Sequence, residues 1–427
     1  MAEIRRVPAS VAQRLLWVLE RFRGEDGSAN CPIVLRLRGR LDAERLSDGL
    51  AALTARHESL RTTFEGRAAR LTQLVHEPQA VRLHRQDLTS EDPDRALREA
   101  VTGEVRRPVD AEEWPTRITL FRLGDDDHGL CINLHHAVTD GASCGLVVRD
   151  LESLAGAGSP LPRVRWQYEQ FCQWQGDWLA GSEVNEDRAY WAGHLAGARV
   201  PRLPLRPTSS GASWLSASVT GTIDAALVSA LEQIARQQHT TIASALLAIY
   251  YLVLREHTGD DDLAVASFMA NRTRPELRNT VGLLANMVVL RTRIGGQDDF
   301  GEVLRRVHST AMDAFVHQRL PYQLLRGDTL AEPGRRPDDV MFQLVPQLPA
   351  PLRVAGTEAE IVVTDQLGSR FECEFQLYPQ HGGLQAVLCY DRARLDDDFA
   401  ARLVGDYLAM ARELSTGSPD RAGRLAN

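Results

Sequence analysis

One stretch limits what this chain can fold into more than any other. Leu130, Ile132 and Leu134 alternate with smaller or polar neighbours, so one face of an extended strand is apolar. The strand ends on two consecutive histidines, His135 and His136. After Ala137-Val-Thr-Asp140-Gly141 an apolar helical pattern begins and runs to about Leu154. A buried strand, a turn and a helix are therefore joined in immediate succession, which is the connectivity of a mixed α and β core. Adjacent strand residues point to opposite faces, so His135 and His136 cannot both address one small site. Only one of them can be a working base. Asp140 in the turn needs a partner if buried, most naturally an arginine. Gly141 is expected to permit the tight backbone at the helix entrance. A strand end and a helix cap would account for a lone histidine, but not for the whole HHxxxDG spacing. A metal site fits poorly, because consecutive histidines diverge and no further His lies nearby at zinc-like spacing.

Composition narrows the chemistry. All 49 basic residues are arginine. Without lysine there is neither a P-loop nor a pyridoxal-phosphate Schiff base. The formal net charge of -8 gives no reason to expect nucleic acid or an anionic membrane as partner. The longest apolar run, Ala243 to Leu254, is too short to span a bilayer, and no secretory h-region follows Met1. Six scattered cysteines without a CxxC fit a reduced cytoplasm, the expected location.

The length of 427 residues suggests two lobes. Helical patterns cover Ser10 to Arg23, Ala43 to His57, Ala225 to Gln238, Ala243 to Glu256, Phe300 to Gln318 and Asp397 to Leu414. Strands are expected at Ile33 to Leu37, Thr116 to Leu123, Leu263 to Ser267, Met287 to Thr292, Glu360 to Thr364 and Gln385 to Tyr390. Loop chemistry marks Gly156 to Pro162 and Pro201 to Ala212. Between them an aromatic helical stretch, Trp166 to Leu195, is expected to bridge the lobes. The expected division is 1–180 and 181–427, an α+β fold with a cleft between the halves.

Several further segments, together with HHxxxDG, resemble the motifs of the condensation-domain superfamily of nonribosomal peptide synthetases. In order along the chain they are Ser10-Val-Ala-Gln13-Arg14-Leu-Leu-Trp17, Arg56-His-Glu-Ser-Leu-Arg61-Thr-Thr-Phe64, Tyr168-Glu-Gln-Phe171-Cys-Gln-Trp174-Gln175 with Tyr190-Trp191, Asn271-Arg272, Val281-Gly282-Leu-Leu-Ala-Asn286, and His317-Gln318-Arg-Leu-Pro321-Tyr322. The chain departs from the family pattern at Arg319 and Gln323, where acidic residues are common, at Leu284-Ala285-Asn286-Met287, and across Arg336 to Phe342.

The resemblance implies two chloramphenicol-acetyltransferase-like lobes forming a V, with the active site at their interface. It implies an acyltransferase, a free-standing condensation enzyme that moves a carrier-tethered acyl group from its thioester to an amine or alcohol in natural-product biosynthesis. His136 would take the nucleophile's proton, with His135, Asp140 and Gly141 completing the motif. Arg61 would pair with Asp140 as structural support, and Tyr168, Trp191 and Asn286 would line the substrate tunnel. No metal or bound cofactor is implied; a phosphopantetheine arm would arrive on the carrier protein. The acceptor would be carrier-bound or a small molecule. Two rivals stand beside this reading: an acyl-coenzyme A-dependent acyltransferase of the same fold, and a non-catalytic relative that recruits partners.

Overall fold

The computed structural model describes residues 4–23, 27–67, 70–88, 90–156, 160–206, 216–325, 339–346, 352–362, 371–380 and 382–416. Parts of both expected linkers, 157–159 and 207–212, and of the segment Arg336 to Phe342 lie outside the described residues.

The chain forms two compact units that are not the two contiguous halves expected. The first comprises residues 1–184, 270–285 and 346–367; the second comprises 185–269, 286–345 and 368–427. Two segments of the C-terminal half thus pack within the first unit, which corrects the division at residue 180. The reason is hydrogen bonding. Residues 357–361 pair antiparallel with residues of the first unit's sheet, and residues 280–285 are bonded to its side chains and backbone. The aromatic stretch 166–195 is likewise two helices, divided between the units.

Along the first unit run β1 (Arg5–Pro8), α1 (Val11–Arg23), β2 (Asn30–Arg38), α2 (Ala43–Arg56), β3 (Thr62–Glu65), β4 (Thr72–Val75), β5 (Leu83–Asp87), α3 (Pro93–Arg106), β6 (Thr116–Arg122), β7 (Asp127–His135), α4 (Gly141–Ala155) and α5 (Tyr168–Ala180). The second unit holds α6 (Val184–Leu195) from its second residue on, β8 (Ser216–Ile223), α7 (Ala225–Gln237), α8 (Ile242–Thr258), β9 (Asp262–Met269), β10 (Asn286–Arg293), α9 (Phe300–Val316) and β11 (Val340–Leu344). The chain then contributes β12 (Leu352–Val354) and β13 (Thr357–Ile361) to the first unit. It finishes the second with β14 (Cys373–Gln380), β15 (Gly383–Asp391) and α10 (Asp397–Ser415).

The first unit's main sheet has the order β12-β13-β2-β7-β6-β5, beside a small β1-β4-β3 sheet. Period-two alternation on β7 divides the core. Leu130, Ile132 and Leu134 pack with Leu46, Leu50 and Leu53 of α2 and Val147, Val148 and Leu151 of α4. Cys131, on the other face, packs with Leu97, Val101 and Val105 of α3. The second unit's sheet has the order β10-β9-β11-β14-β15-β8. Tyr250 of α8, Phe342, Phe375 and Tyr407 of α10 form a connected ring cluster against it, with Phe375 and Tyr407 centroids 4.5 Å apart. Two α+β units, each built on a six-stranded mixed sheet, are the chloramphenicol-acetyltransferase-like organisation expected.

Candidate functional site

The HHxxxDG segment lies where the central strand β7 leaves the sheet. The His136 amide donates to the Ala29 carbonyl at 2.7 Å, ending the β2–β7 ladder. A single 3-10 turn, His136–Val138, then leads to α4, which Asp140 caps. The two histidines diverge as strand geometry requires. His135 is buried: its Nδ1 accepts the Ala137 amide at 3.1 Å and its Nε2 lies 2.8 Å from Glu20 Oε1 on α1. His136 is half-buried, and its Nδ1 lies 2.8 Å from the Thr139 carbonyl oxygen. A carbonyl only accepts, so Nδ1 carries the proton and Nε2 is the basic nitrogen of neutral His136.

Asp140 is 1 % exposed and has every oxygen engaged. Oδ1 accepts the Ser143 amide at 2.7 Å, the N-cap bond of α4. Oδ2 accepts the amides of Leu284 and Ala285 at 3.0 and 2.9 Å. Arg272 supplies the counter-charge, Nη2 to Oδ1 at 3.0 Å and Nη1 to Oδ2 at 3.2 Å. Burial alone would push the Asp140 carboxyl up. The Arg272 charge and hydrogen bonds, with those of Ser143, outweigh burial and hold it below the usual carboxylate range. Arg272 also reaches Ser143 Oγ and the Thr280 carbonyl. Ser143 Oγ donates to the Gly282 carbonyl and accepts its amide. Asp140 therefore joins the helix to the segment 280–285.

Arg61 is not the partner of Asp140. It is buried beside β4, where Nη1 donates to the His76 carbonyl and Nη2 lies 3.8 Å from Glu58. Burial lowers its pKa, against the pull of Glu58 and Glu77. Arg272 belongs to a motif already quoted in the sequence, Asn271-Arg272. What sequence could not supply was which arginine meets Asp140. Asn271 adopts φ 52° and its Nδ2 donates to the Leu284 carbonyl, which sets the bend that precedes Arg272.

The other predicted residues sit as follows. Tyr168 is 3 % exposed, and its hydroxyl bonds the Leu283 carbonyl at 2.7 Å and Ser10 Oγ at 2.9 Å. Its ring lies over Gly282, where a Cβ would come within 2.1 Å of it. Those contacts make it an internal clamp on 282–283. Gly141 begins α4, and a Cβ added there meets nothing within 4 Å, so chain packing does not require glycine. Trp191 and Asn286 belong to the second unit. Trp191 Nε1 donates to the His317 carbonyl at 3.0 Å, and Asn286 Nδ2 donates to the Gln318 and Arg319 carbonyls at 2.9 and 3.1 Å. Both hold the loop after α9, where His317 also meets the buried Asp187 at 2.7 Å. Among the described residues, no group of three or more His, Cys, Asp or Glu is placed to hold a metal ion. Nor is any described helix long and apolar enough to cross a membrane.

Comparison with known proteins agrees with this geometry. The family profile of the condensation domain matches residues 3–421. Chondramide synthase cmdD of Chondromyces crocatus is 36 % identical over 327 residues, 74 % of this chain and 8 % of that protein. The chain spans less than a tenth of the length of the curated relatives it matches. Among solved structures, the X-domain from teicoplanin biosynthesis, known alone and in complex with OxyB, superposes with TM-score 0.80 at 23 % identity, covering 97 % of this chain and 96 % of that one. The first condensation domain of the calcium-dependent antibiotic synthetase, in complex with a substrate analogue, gives 0.81 at 18 % identity, covering 96 % of each chain. With HHxxxDG at the end of the central strand and the profile matched across nearly its whole length, this chain belongs to the condensation-domain family.

Proposed function

We propose that this chain transfers an acyl group from the phosphopantetheine thioester of a carrier protein to an amine or alcohol, with His136 as the base. The observation that carries the reading is the Nδ1–Thr139 hydrogen bond, which fixes the His136 tautomer with Nε2 as proton acceptor. The nucleophile's N–H or O–H proton passes to Nε2 as its lone pair attacks the thioester carbonyl. The tetrahedral oxyanion collapses, the C–S bond breaks, and the imidazolium returns the proton to the pantetheine thiolate. The start of α4 follows His136 closely in sequence, and its positive dipole end favours the developing negative charge. Asp140 does not transfer protons in this scheme. Held by Arg272 and three backbone amides, it fixes the helix to the catalytic turn.

The carrier would be a separate protein, and the pantetheine arm would be part of the substrate. The experiment supplies a carrier loaded with an acyl group, the same acyl group on coenzyme A, and a defined amine or alcohol. Highest kcat/KM with the carrier supports condensation. Equal or better turnover with coenzyme A moves the reading to a soluble-donor acyltransferase. No product from either, alongside tight binding of a partner protein, would support a recruiting role such as the teicoplanin X-domain's complex with OxyB suggests.

A further inference from the structure

The peptide groups around His136 are held one by one. The preceding amide is held by Ala29 O at 2.7 Å. The following amide, Ala137 N–H, is accepted by His135 Nδ1 at 3.1 Å. The next carbonyl, Ala137 O, is held by Gln13 Nε2 at 2.9 Å. Two of these three holders have a fixed hydrogen-bonding sense: a carbonyl accepts and an amide N–H donates. The imidazole of His135 does not. Either ring nitrogen can carry the proton, and only one tautomer supports the turn.

We propose that Glu20, on α1, is a positioning residue for the catalytic turn, acting by fixing the tautomer of His135. Its Oε1 lies 2.8 Å from His135 Nε2, and an ionised carboxylate only accepts. The proton is therefore drawn to Nε2, and Nδ1 keeps the lone pair that receives Ala137 N–H. In the opposite tautomer Nδ1–H would face the Ala137 N–H and the Nε2 lone pair would face the carboxylate. Both contacts would be repulsive. The His135 side chain is 3 % exposed, so water cannot readily replace either partner. The Ala137 amide belongs to the peptide that leaves His136, and its orientation is coupled to His136 ψ and to the aim of the imidazole. The Glu20 side chain is 27 % exposed, so its replacement need not disrupt the core.

The consequence for rate rests on His136 being the base; the tautomer assignment does not. Two measurements keep them apart. The first is the ring 15N spectrum of His135. The wild type should show a protonated Nε2 and an unprotonated Nδ1, and Glu20→Leu should lose that single signature. The second is kinetics with an acyl-loaded carrier and a defined amine. Glu20→Leu should lower kcat about ten- to a hundred-fold, the range expected for lost positioning, at nearly unchanged KM. Glu20→Gln, whose carbonyl still accepts from Nε2, should recover most of the rate. A wild-type His135 protonated on Nδ1, or an unchanged ring signature in Glu20→Leu, overturns the proposal, as does wild-type kcat in Glu20→Leu. If the wild type makes no product, the acyl-transfer reading fails and the ring spectra still decide the role of Glu20. If Glu20→Leu does not fold, the wild-type ring spectrum and Glu20→Gln decide it.

Discussion

Arg272 grips Asp140 through both terminal guanidinium nitrogens, Nη2 to Oδ1 at 3.0 Å and Nη1 to Oδ2 at 3.2 Å, although 132 positions separate them. The Asp140 side chain is 1 % exposed and that of Arg272 11 %. The pair also carries the N-cap of α4 and two amides of the segment 284–285, so several elements meet on one carboxylate. Removing one partner leaves the other charge buried. Asp140→Ala and Arg272→Ala should each cost about 3–5 kcal/mol of stability. The double variant should cost less than their sum by roughly 1–3 kcal/mol. Arg61→Ala combined with Asp140→Ala should be additive, since the two share no hydrogen-bond partner. A coupling energy near zero for Asp140 and Arg272 in denaturant titrations would rule out the pairing.

A second buried carboxylate predicts the acid limb of stability. Asp150 on α4 accepts from His57 Nε2 at 2.8 Å, Arg56 Nε at 2.7 Å and Arg149 Nε at 2.7 Å. Burial pushes this carboxyl up, but His57 and the two arginines bring it down to about 2. Burial lowers the pKa of His57 despite Asp150, because protonation would place a charged Nδ1–H where that nitrogen has no hydrogen-bond partner. Both folded-state values lie below their unfolded ones, so as the pH falls the unfolded state takes up protons before the folded state does. Stability should decline below about pH 6.5, where unfolded histidine protonates, and again between about pH 4 and 2 through Asp150. His76, His128 and His194 are depressed by burial in the same sense, so the test is a difference profile. Urea midpoints of wild type minus His57→Gln should shrink as the pH falls below 6.5. A difference independent of pH would contradict the assignment.

Replacement of His136 by Ala should leave a folded protein whose turnover is lower by about 10²- to 10⁴-fold, the usual worth of a general base. His135→Ala should lower the melting temperature, because it removes the acceptor of Ala137 N–H from a buried site, and should lower turnover about as much as Glu20→Leu does, which is less than His136→Ala. Tyr168→Phe belongs with His135. It leaves the Leu283 carbonyl without its 2.7 Å donor, at about 1–3 kcal/mol, and should leave preference among acyl donors unchanged. Equal, small losses of turnover for His136→Ala and His135→Ala would remove His136 as the base.

What sequence revealed was local. Periodicity located α1, α2, α4, α7 and α10 within a few residues, because each carries an apolar face, and α8 was located as a continuous apolar run, being buried all round from Ser244 to Leu254. The motif placed His136, the Asp140 cap and the strand end together, since strand, turn and helix are contiguous there. Polar α3 was missed although Asp92 and Pro93 are an N-cap and N1 pair, for its apolar face is only Leu97, Val101 and Val105. The short strands of the β1-β4-β3 sheet were missed too, as four residues hold little alternation. The choice of Arg61 over Arg272, and the division of the chain at residue 180, failed for one reason. Both depend on the segment 270–285 packing within the first unit, a tertiary contact that leaves no periodic signal in an arginine-rich chain.

Two glycines allow the needs of the fold to be tested apart from those of the proposed reaction. At Gly282 the backbone has φ 157°, and a Cβ would overlap the Tyr168 ring at 2.1 Å. That ring is pinned at its hydroxyl by Leu283 and Ser10, so it cannot swing aside. Gly282→Ala should therefore destabilise the protein by about 1–3 kcal/mol or more, the range for overpacking a core. At Gly141 a Cβ meets open space, and alanine suits a helix better than glycine by up to about 1 kcal/mol. Gly141→Ala should melt at or slightly above the wild-type temperature. If the space beside the start of α4 is used by the acyl thioester, this variant loses kcat/KM while keeping its stability. Loss of both together would show that Gly141 serves the fold. Full activity in a stable Gly141→Ala would show that the reacting groups leave that space empty.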